Sequence, residues 1–538
     1  MPSASSNAGN PVSSNASTSN NVTLSIAPDA NGGMVAGISD ELLVGSINTS
    51  VSPIALTVGL NASSTTSSVA RRATVISRGT AVHEEGWWKD GPSNSDLLRP
   101  VLSSLRQVGT RNTTSTRRTQ SLPTTVGAQA SIWVQNFTPG VSGTTFEQVQ
   151  ATLAAQTAHA SVWVQNSLDL LANSAAINAI ALNIENAMAS DNAHFGTSTW
   201  NGSAASLNKA YATCDANGNR DGGIGPEFIV PSDPHVNFVY VAPYEISVGG
   251  YMDADSLLPE DIIRCTQANN GTYHSNEAPT IVLTYYGDAR GMQYVLEEDS
   301  IVHPAHEYQH LINMVHHAIL QASPAYEDGL LNEGLSMLAQ DFALNAATNG
   351  VQPLDGENIN RSIGYLAATQ NYSVAGFAGL QNSGNTALYN CGTCYSPAWL
   401  LERYFYDRFG GDAYTQAMEG GAQTSWSEVQ SITGVQPQTL LHDFAIALAS
   451  SNTSAAAAPY QFSSLNLHTT YTDQFGTART LSGPAPLATL SSGNSASYTV
   501  LPGAYVYFAV PASSTTGSAS LNDGSNSSFD LNGAVIAY

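Results

Sequence analysis

Apolar and polar residues alternate along Val22-Thr-Leu-Ser-Ile26 and Ile54-Ala-Leu-Thr-Val58. A period of two marks strands with one buried face, so residues 21–125 predict a β-rich N-terminal region. Residues 1–20 are Ser/Asn-rich with almost no apolar pattern and read as a disordered leader. The pattern changes near residue 126. Ile132-Trp-Val-Gln-Asn136 and Val162-Trp-Val-Gln-Asn166 are strand-like, and their shared string is too short to count as a structural repeat. Phe238-Val-Tyr-Val-Ala242 and Thr280-Ile-Val-Leu-Thr-Tyr285 are nearly continuous apolar runs, which predicts strands buried on both faces. The chain then takes on a helical period from about 296 to 346, and a further helix runs from about Ser396 to Phe409, stopped by Gly410-Gly411. After 456 short strands return, among them Ser495-Ala-Ser-Tyr-Thr-Val500 and Ala504-Tyr-Val-Tyr-Phe-Ala-Val510. Together these elements predict an α+β protein. Its expected parts are the leader at 1–20, the β-rich region at 21–125 (a candidate prodomain), a principal domain at 126–455, and a small β-sandwich at 456–538.

A length of 538 residues supports several domains, and an apolar content of 42% is enough for sizeable cores. Charged residues make up only 11%, the net charge is −24, and Lys89 and Lys209 are the only lysines. A chain so poor in cations has no patch to neutralise nucleic-acid phosphates or to settle on an anionic membrane. No apolar run is long enough to span a bilayer. The acidic, Ser/Thr/Asn/Gly-rich text suits an extracellular, secreted protein, and protonation of carboxylates would ease its self-repulsion in acidic surroundings. No signal peptide is visible at 1–20; a signal removed upstream would account for that. Arg71-Arg72 and Arg117-Arg118 are basic pairs of the kind cut during maturation, and equally of the kind that serve as solvated charge in loops. Cys214, Cys265, Cys391 and Cys394 suit two disulfide bonds, with Cys214–Cys265 and Cys391–Cys394 the favoured pairing of the three.

The chemistry concentrates at His306-Glu-Tyr-Gln-His310. On a helix, positions i and i+4 share a face, so His306 and His310 can bind one Zn²⁺, while Glu307 points to a different part of the site. There Glu307 can act as general base, taking a proton from a metal-activated water and passing it to the leaving amine. Pro304 fits the first turn of that helix, and Leu311, Ile312, Val315 and Ile319 give it an apolar stripe. A catalytic zinc needs a third protein ligand and one open position. Glu333, 23 positions after His310, is the leading candidate, with Glu327 and Asp328 as rivals at shorter spacing. His303 and His317 read as packing or solvent-facing residues.

The stretch from about Ser161 to Gly411 resembles the gluzincin peptidases and, among them, the hyicolysin-like neutral metallopeptidases. The resemblance is carried by Ser161-Val-Trp-Val, His194-Phe-Gly196, Gly249-Gly-Tyr-Met-Asp-Ala-Asp255 and Ser275-Asn-Glu277. Its more specific parts are His306-Glu-Tyr-Gln-His310, Asn332-Glu-Gly-Leu-Ser336, and Tyr395 leading into Leu400-Leu-Glu-Arg-Tyr-Phe-Tyr-Asp-Arg-Phe-Gly410. It implies a zinc endopeptidase acting on protein or peptide substrates, with a thermolysin-like two-lobed zincin catalytic unit. It also favours Glu333 as third ligand and Tyr395 as donor to the oxyanion; Tyr326 and His316 are weaker candidates for that last role. The sequence departs from the thermolysin pattern one turn beyond Glu333. There an aspartate would support a zinc histidine, but Met337 occupies the position, leaving Asp341 as the remaining acidic candidate.

Asp215-Ala-Asn217-Gly-Asn219-Arg-Asp221-Gly resembles a calcium loop but has Arg220 where such loops place glycine, and it lacks a terminal acid at the right spacing. Calcium is therefore a secondary cofactor expectation beside one catalytic zinc. The competing functional reading is a non-catalytic extracellular adhesin that keeps the metal helix only as structure.

Overall fold

The computed structural model describes residues 21–26, 33–39, 54–62, 122–137, 145–199, 211–214, 220–225, 228–229, 234–260, 263, 273–321, 327–374, 392–451, 459–489, 495–500, 504–510, 517–522 and 531–537, save for 247 and 422. The leader at 1–20, both basic pairs, the calcium-like residues 215–219 and Tyr326 lie outside the described residues. The protein is mixed α/β and divides into two compact units. One comprises 86–355 with 412–432; the other comprises 1–85, 356–411 and 433–538.

The first unit is built on a six-stranded sheet. Across it the strands run Gly250–Asp253, Thr280–Thr284, Val236–Val241, Ala160–Gln165, Thr145–Gln156 and Gln129–Asn136. The three strands from Thr280–Thr284 to Ala160–Gln165 are parallel, and the pairings at either end are antiparallel. This explains the apolar runs. Parallel strands covered on both faces have no solvent side on which to place polar residues, and every residue of Val236–Val241 and Thr280–Thr284 is buried. One face carries a core of Ile132, Val134, Leu153, Trp163, Val239 and Val282. The polar atoms that enter it are matched: Trp163 Nε1 donates to Asn237 Oδ1 at 2.9 Å, and Asn237 Nδ2 donates to the Pro279 carbonyl at 3.1 Å. Asn276 binds the edge strand as another strand would, its Oδ1 accepting from Trp133 N–H and its Nδ2 donating to the Trp133 carbonyl, at 2.8 and 2.9 Å.

Three helical stretches pack together beside this sheet. Ser174–Phe195 is capped by Asn173, whose side chain accepts from Ala176 N–H, and it ends at Gly196 with φ 104°. Gly329–Ala347 is capped by Asp328, which accepts from Leu330 N–H. Between them in sequence lies His303–Met314, with wider π-helical turns at Val295–Val302 and Val315–Ile319 on either side. Pro304 sits in the first turn of His303–Met314, as its sequence position predicts, although the coil is already under way at Met292. The π turn just before it accommodates a residue with no N–H to give, and neighbours take up carbonyls there. Tyr240 Oη donates to the Asp299 carbonyl at 2.6 Å, and Asn183 Nδ2 donates to the Leu296 carbonyl at 3.0 Å.

In the second unit, strands from the two ends of the chain share sheets. Asn21–Ile26, Gly517–Asn522, Ile54–Ala62 and Ser495–Val500 form one antiparallel sheet. Ala488–Thr489, Tyr505–Val510, Gly33–Ser39 and Leu531–Ala537 form another. The regions at 21–125 and 456–538, read separately from the sequence, thus contribute strands to the same layers. Short alternating strands state which face is buried but not which partner lies alongside. Tyr505 Oη and Tyr507 Oη donate to the carbonyls of Leu441 and Ala445, at 2.9 and 2.8 Å, and so tie this sheet to the Pro437–Ser450 helix.

Asp253 ends the edge strand of the first unit, and burial pushes its carboxyl up to about 7 despite hydrogen bonds from Ser256 and Asn276. The folded state thus holds this proton more tightly than the unfolded chain. The linked stability is complete below the unfolded value and is lost as pH rises toward 7. Asp253→Asn, which mimics the protonated acid, is expected to gain stability over the parent as pH is raised from 4 to 7.5, by up to roughly 4 kcal/mol. Denaturant titrations at the two pH values measure this; a pH-independent difference contradicts it.

Candidate metal centre

His306 and His310 lie on the buried face of His303–Met314 that meets Gly329–Ala347, the helix carrying Glu333. One ligand atom from each of the three lies within 4.8 Å of the others. Glu333 Oε2 is 3.1 Å from His306 Nε2 and 3.5 Å from His310 Nε2. Ligands about 2.1 Å from a tetrahedral zinc stand about 3.4 Å apart, so these separations fit a shared ion. The donor chemistry fits as well. Nε2 of His306 and Oε2 of Glu333 are buried with no partner beyond the cluster itself, the condition of atoms whose partner is a metal. Burial alone would raise the Glu333 carboxyl, but the adjacent His310 and His306 pull it down to about 2.

Glu307 is also buried, and it stands beside the edge strand. A Cβ built at Gly250 would lie 3.4 Å from Glu307 Oε1 and only 2.9 Å from Leu283 Cδ2, so glycine is what lets that backbone come close. The Gly249–Asp255 segment of the resemblance therefore contains the edge strand, Gly250–Asp253, next to this carboxylate.

The support for His310 comes from a residue that the sequence reading passed over. Ser336 Oγ lies 3.0 Å from His310 Nδ1, hydrogen-bonds to the side-chain oxygen of Gln309, and lies 3.0 Å from the Asn332 carbonyl. Gln309 Nε2 in turn donates to Glu419 Oε1 at 2.6 Å, and Asn313 Nδ2 donates to Glu419 Oε2 at 3.1 Å. One direction consistent with a metal on His310 Nε2 has His310 Nδ1–H donate to Ser336, Ser336 donate to Gln309, and Gln309 donate to Glu419, although Ser336 Oγ also lies 3.4 Å from Nε2. Asp341 Oδ1 accepts from Asp355 N–H at 2.7 Å. The signal for Ser336 was its place one turn beyond Glu333, but a serine there is compatible with many roles.

The other candidates fall elsewhere. Asp328 is the helix cap. Glu327 Oε1 accepts from Asp328 N–H and Ser425 N–H, at 2.8 and 2.6 Å. His303 Nδ1 faces Asp299 at 3.3 Å, and His316 Nε2 meets the Thr197 carbonyl at 3.0 Å. Tyr395 is the first residue of Tyr395–Arg408, buried, with the Arg361 guanidinium 5.4 Å from its ring centre. It belongs to the other unit. Cys394, just before it, is not a free thiol, and the cysteine expected to pair with it lies outside the described residues.

Ser336→Ala removes the acceptor that orients His310 and leaves Gln309 unmatched. Zinc affinity is expected to fall about 10–100-fold, as for other loss of ligand support. Competition with a chelating dye reads this directly; unchanged affinity would show that Ser336 does not orient the ring.

Comparison with known proteins adds no identity: no family model matches this chain, and no curated protein is similar to it in sequence.

Proposed function

We propose that this protein is a secreted zinc-dependent endopeptidase, with His306, His310 and Glu333 as metal ligands and Glu307 as general base. The observation that carries this reading is the convergence of three buried ligand atoms within 4.8 Å, two of them from a helix that also presents Glu307. Zinc bound there would polarise a scissile carbonyl and bring the pKa of a water toward neutrality. Glu307, one residue on from His306, lies off the ligand face and is free of ligand duty. It accepts the proton of the attacking water and returns it to the leaving amine. Ser336 holds the tautomer of His310, and the Glu333 charge offsets that of the cation. The thermolysin-like two-lobed arrangement is part of the same reading and rests on the resemblance. Secretion is supported by the acidic, lysine-poor composition. Among the described residues no helix is long and apolar enough to cross a membrane.

Glu307→Gln keeps the size and the ligands but cannot accept a proton. Cleavage of an unfolded protein such as casein is expected to fall by about 10²–10⁴-fold, with zinc content unchanged by plasma mass spectrometry. Full chelator-sensitive activity in that variant, or none in the parent from acid to neutral pH, would sink the reading.

A further inference from the structure

Beyond the first centre, the described residues hold a second group of buried ligand atoms. His317, Glu327 and Glu428 each bring one ligand atom within 4.8 Å of the other two, and all three residues are buried. They come from separate elements: the π-helical Val315–Ile319 turn, the residue before the Asp328 cap, and the Ser425–Thr433 helix. Backbone donors occupy Glu327 Oε1. Glu327 Oε2 and both oxygens of Glu428 are buried with no donor from any other residue, and the two carboxyl groups face one another. The place of Glu428 is kept by a glycine: a Cβ on Gly421 would stand 1.5 Å from Glu428 Oε1.

Charge sharpens the case. The side chain of Glu419 is also close, with its oxygens taken by Gln309 and Asn313. The neighbouring charges acting on Glu419 and Glu428 are other carboxylates, not lysine or arginine. Carboxylates withdrawn from water are tolerated when paired, protonated or bound to metal. A proton on Glu428 donated to Glu327 would still leave the second Glu428 oxygen unmatched. A divalent cation held by Glu327 and by both oxygens of Glu428 would match all three.

We propose that His317, Glu327 and Glu428 form a second divalent-cation site, of the zinc and manganese class, distinct from the His306/His310/Glu333 centre. The imidazole sets the class, because calcium takes oxygen ligands whereas imidazole suits zinc-like ions. His317 Nε2 meets the Met418 carbonyl at 2.8 Å and stands 3.9 Å from Glu428 Oε2. On metal binding the ring's single N–H moves to Nδ1, and Nε2 and the Met418 oxygen become neighbouring ligands. Atoms about 2.1 Å from a metal and at right angles are about 3.0 Å apart. His317 lies two turns beyond His310, and Glu327 lies shortly before Glu333. The ion therefore clasps the near ends of the two helices that carry the first centre, and does so without using any of its ligands.

The test is metal stoichiometry of the full chain, stripped with chelator, re-equilibrated with zinc alone and desalted. Two ions per chain are expected in the parent, one in Glu428→Gln, one in the His306→Ala/His310→Ala double variant, and none in the triple variant. If Glu428→Gln does not fold, His317→Gln is measured in its place, and stepwise chelation of the parent should release two ions in separate phases. One ion in the parent with no loss in either single variant overturns the proposal, as does filling of the site by calcium in competition with zinc. A double variant that keeps both ions removes the first-centre reading and leaves this one standing, so the two failures are distinguishable.

Discussion

Glu333 sits at 1% exposure between two imidazoles. A carboxylate there must be compensated by cations, and much of the first unit can be read as arranging that compensation. The two histidines must therefore share one helix face, and that helix must lie tight against Gly329–Ala347. The sheet beneath supplies the rigidity. Its central strands are buried along their whole length, so they leave little freedom for the helices that rest on them.

Around this centre, polar groups are connected in series. His310 leads to Ser336, then to Gln309 and Glu419, and Asn313 closes on the same carboxylate. A series of this kind orients each member, because every donor commits the next acceptor. His317, one helical segment on, meets the Met418 carbonyl next to Glu419. The π-helical turns on either side of His303–Met314 rotate the flanking residues relative to a regular helix, which decides what His303 and His317 face.

Burial also biases the protein toward protonated carboxyls. It raises Asp191, Asp253, Asp255, Glu245 and Glu419, in each case as the largest cause. A group raised on folding adds stability that is lost with rising pH. In a chain of net charge −24 with only 17 lysines and arginines, these buried acid groups are thus biased toward their protonated forms. The composition hinted at this tolerance of acid; the structure locates it in particular side chains.

The sequence by itself determined the elements and the first candidate ligand set. Helical spacing put His306 and His310 on one face, apolar runs marked Val236–Val241 and Thr280–Thr284 as fully buried strands, and Asn332-Glu333 opened an apolar helix. These features are local, because periods of two and 3.6 are written into neighbouring residues. Tertiary structure decided which distant segments meet. It paired strands of the two chain ends in common sheets, chose Ser336 as partner of His310, and brought Glu428 to His317 and Glu327 across about a hundred residues. Such contacts depend on how elements pack in three dimensions, and neither hydrophobic period nor motif spacing carries that information.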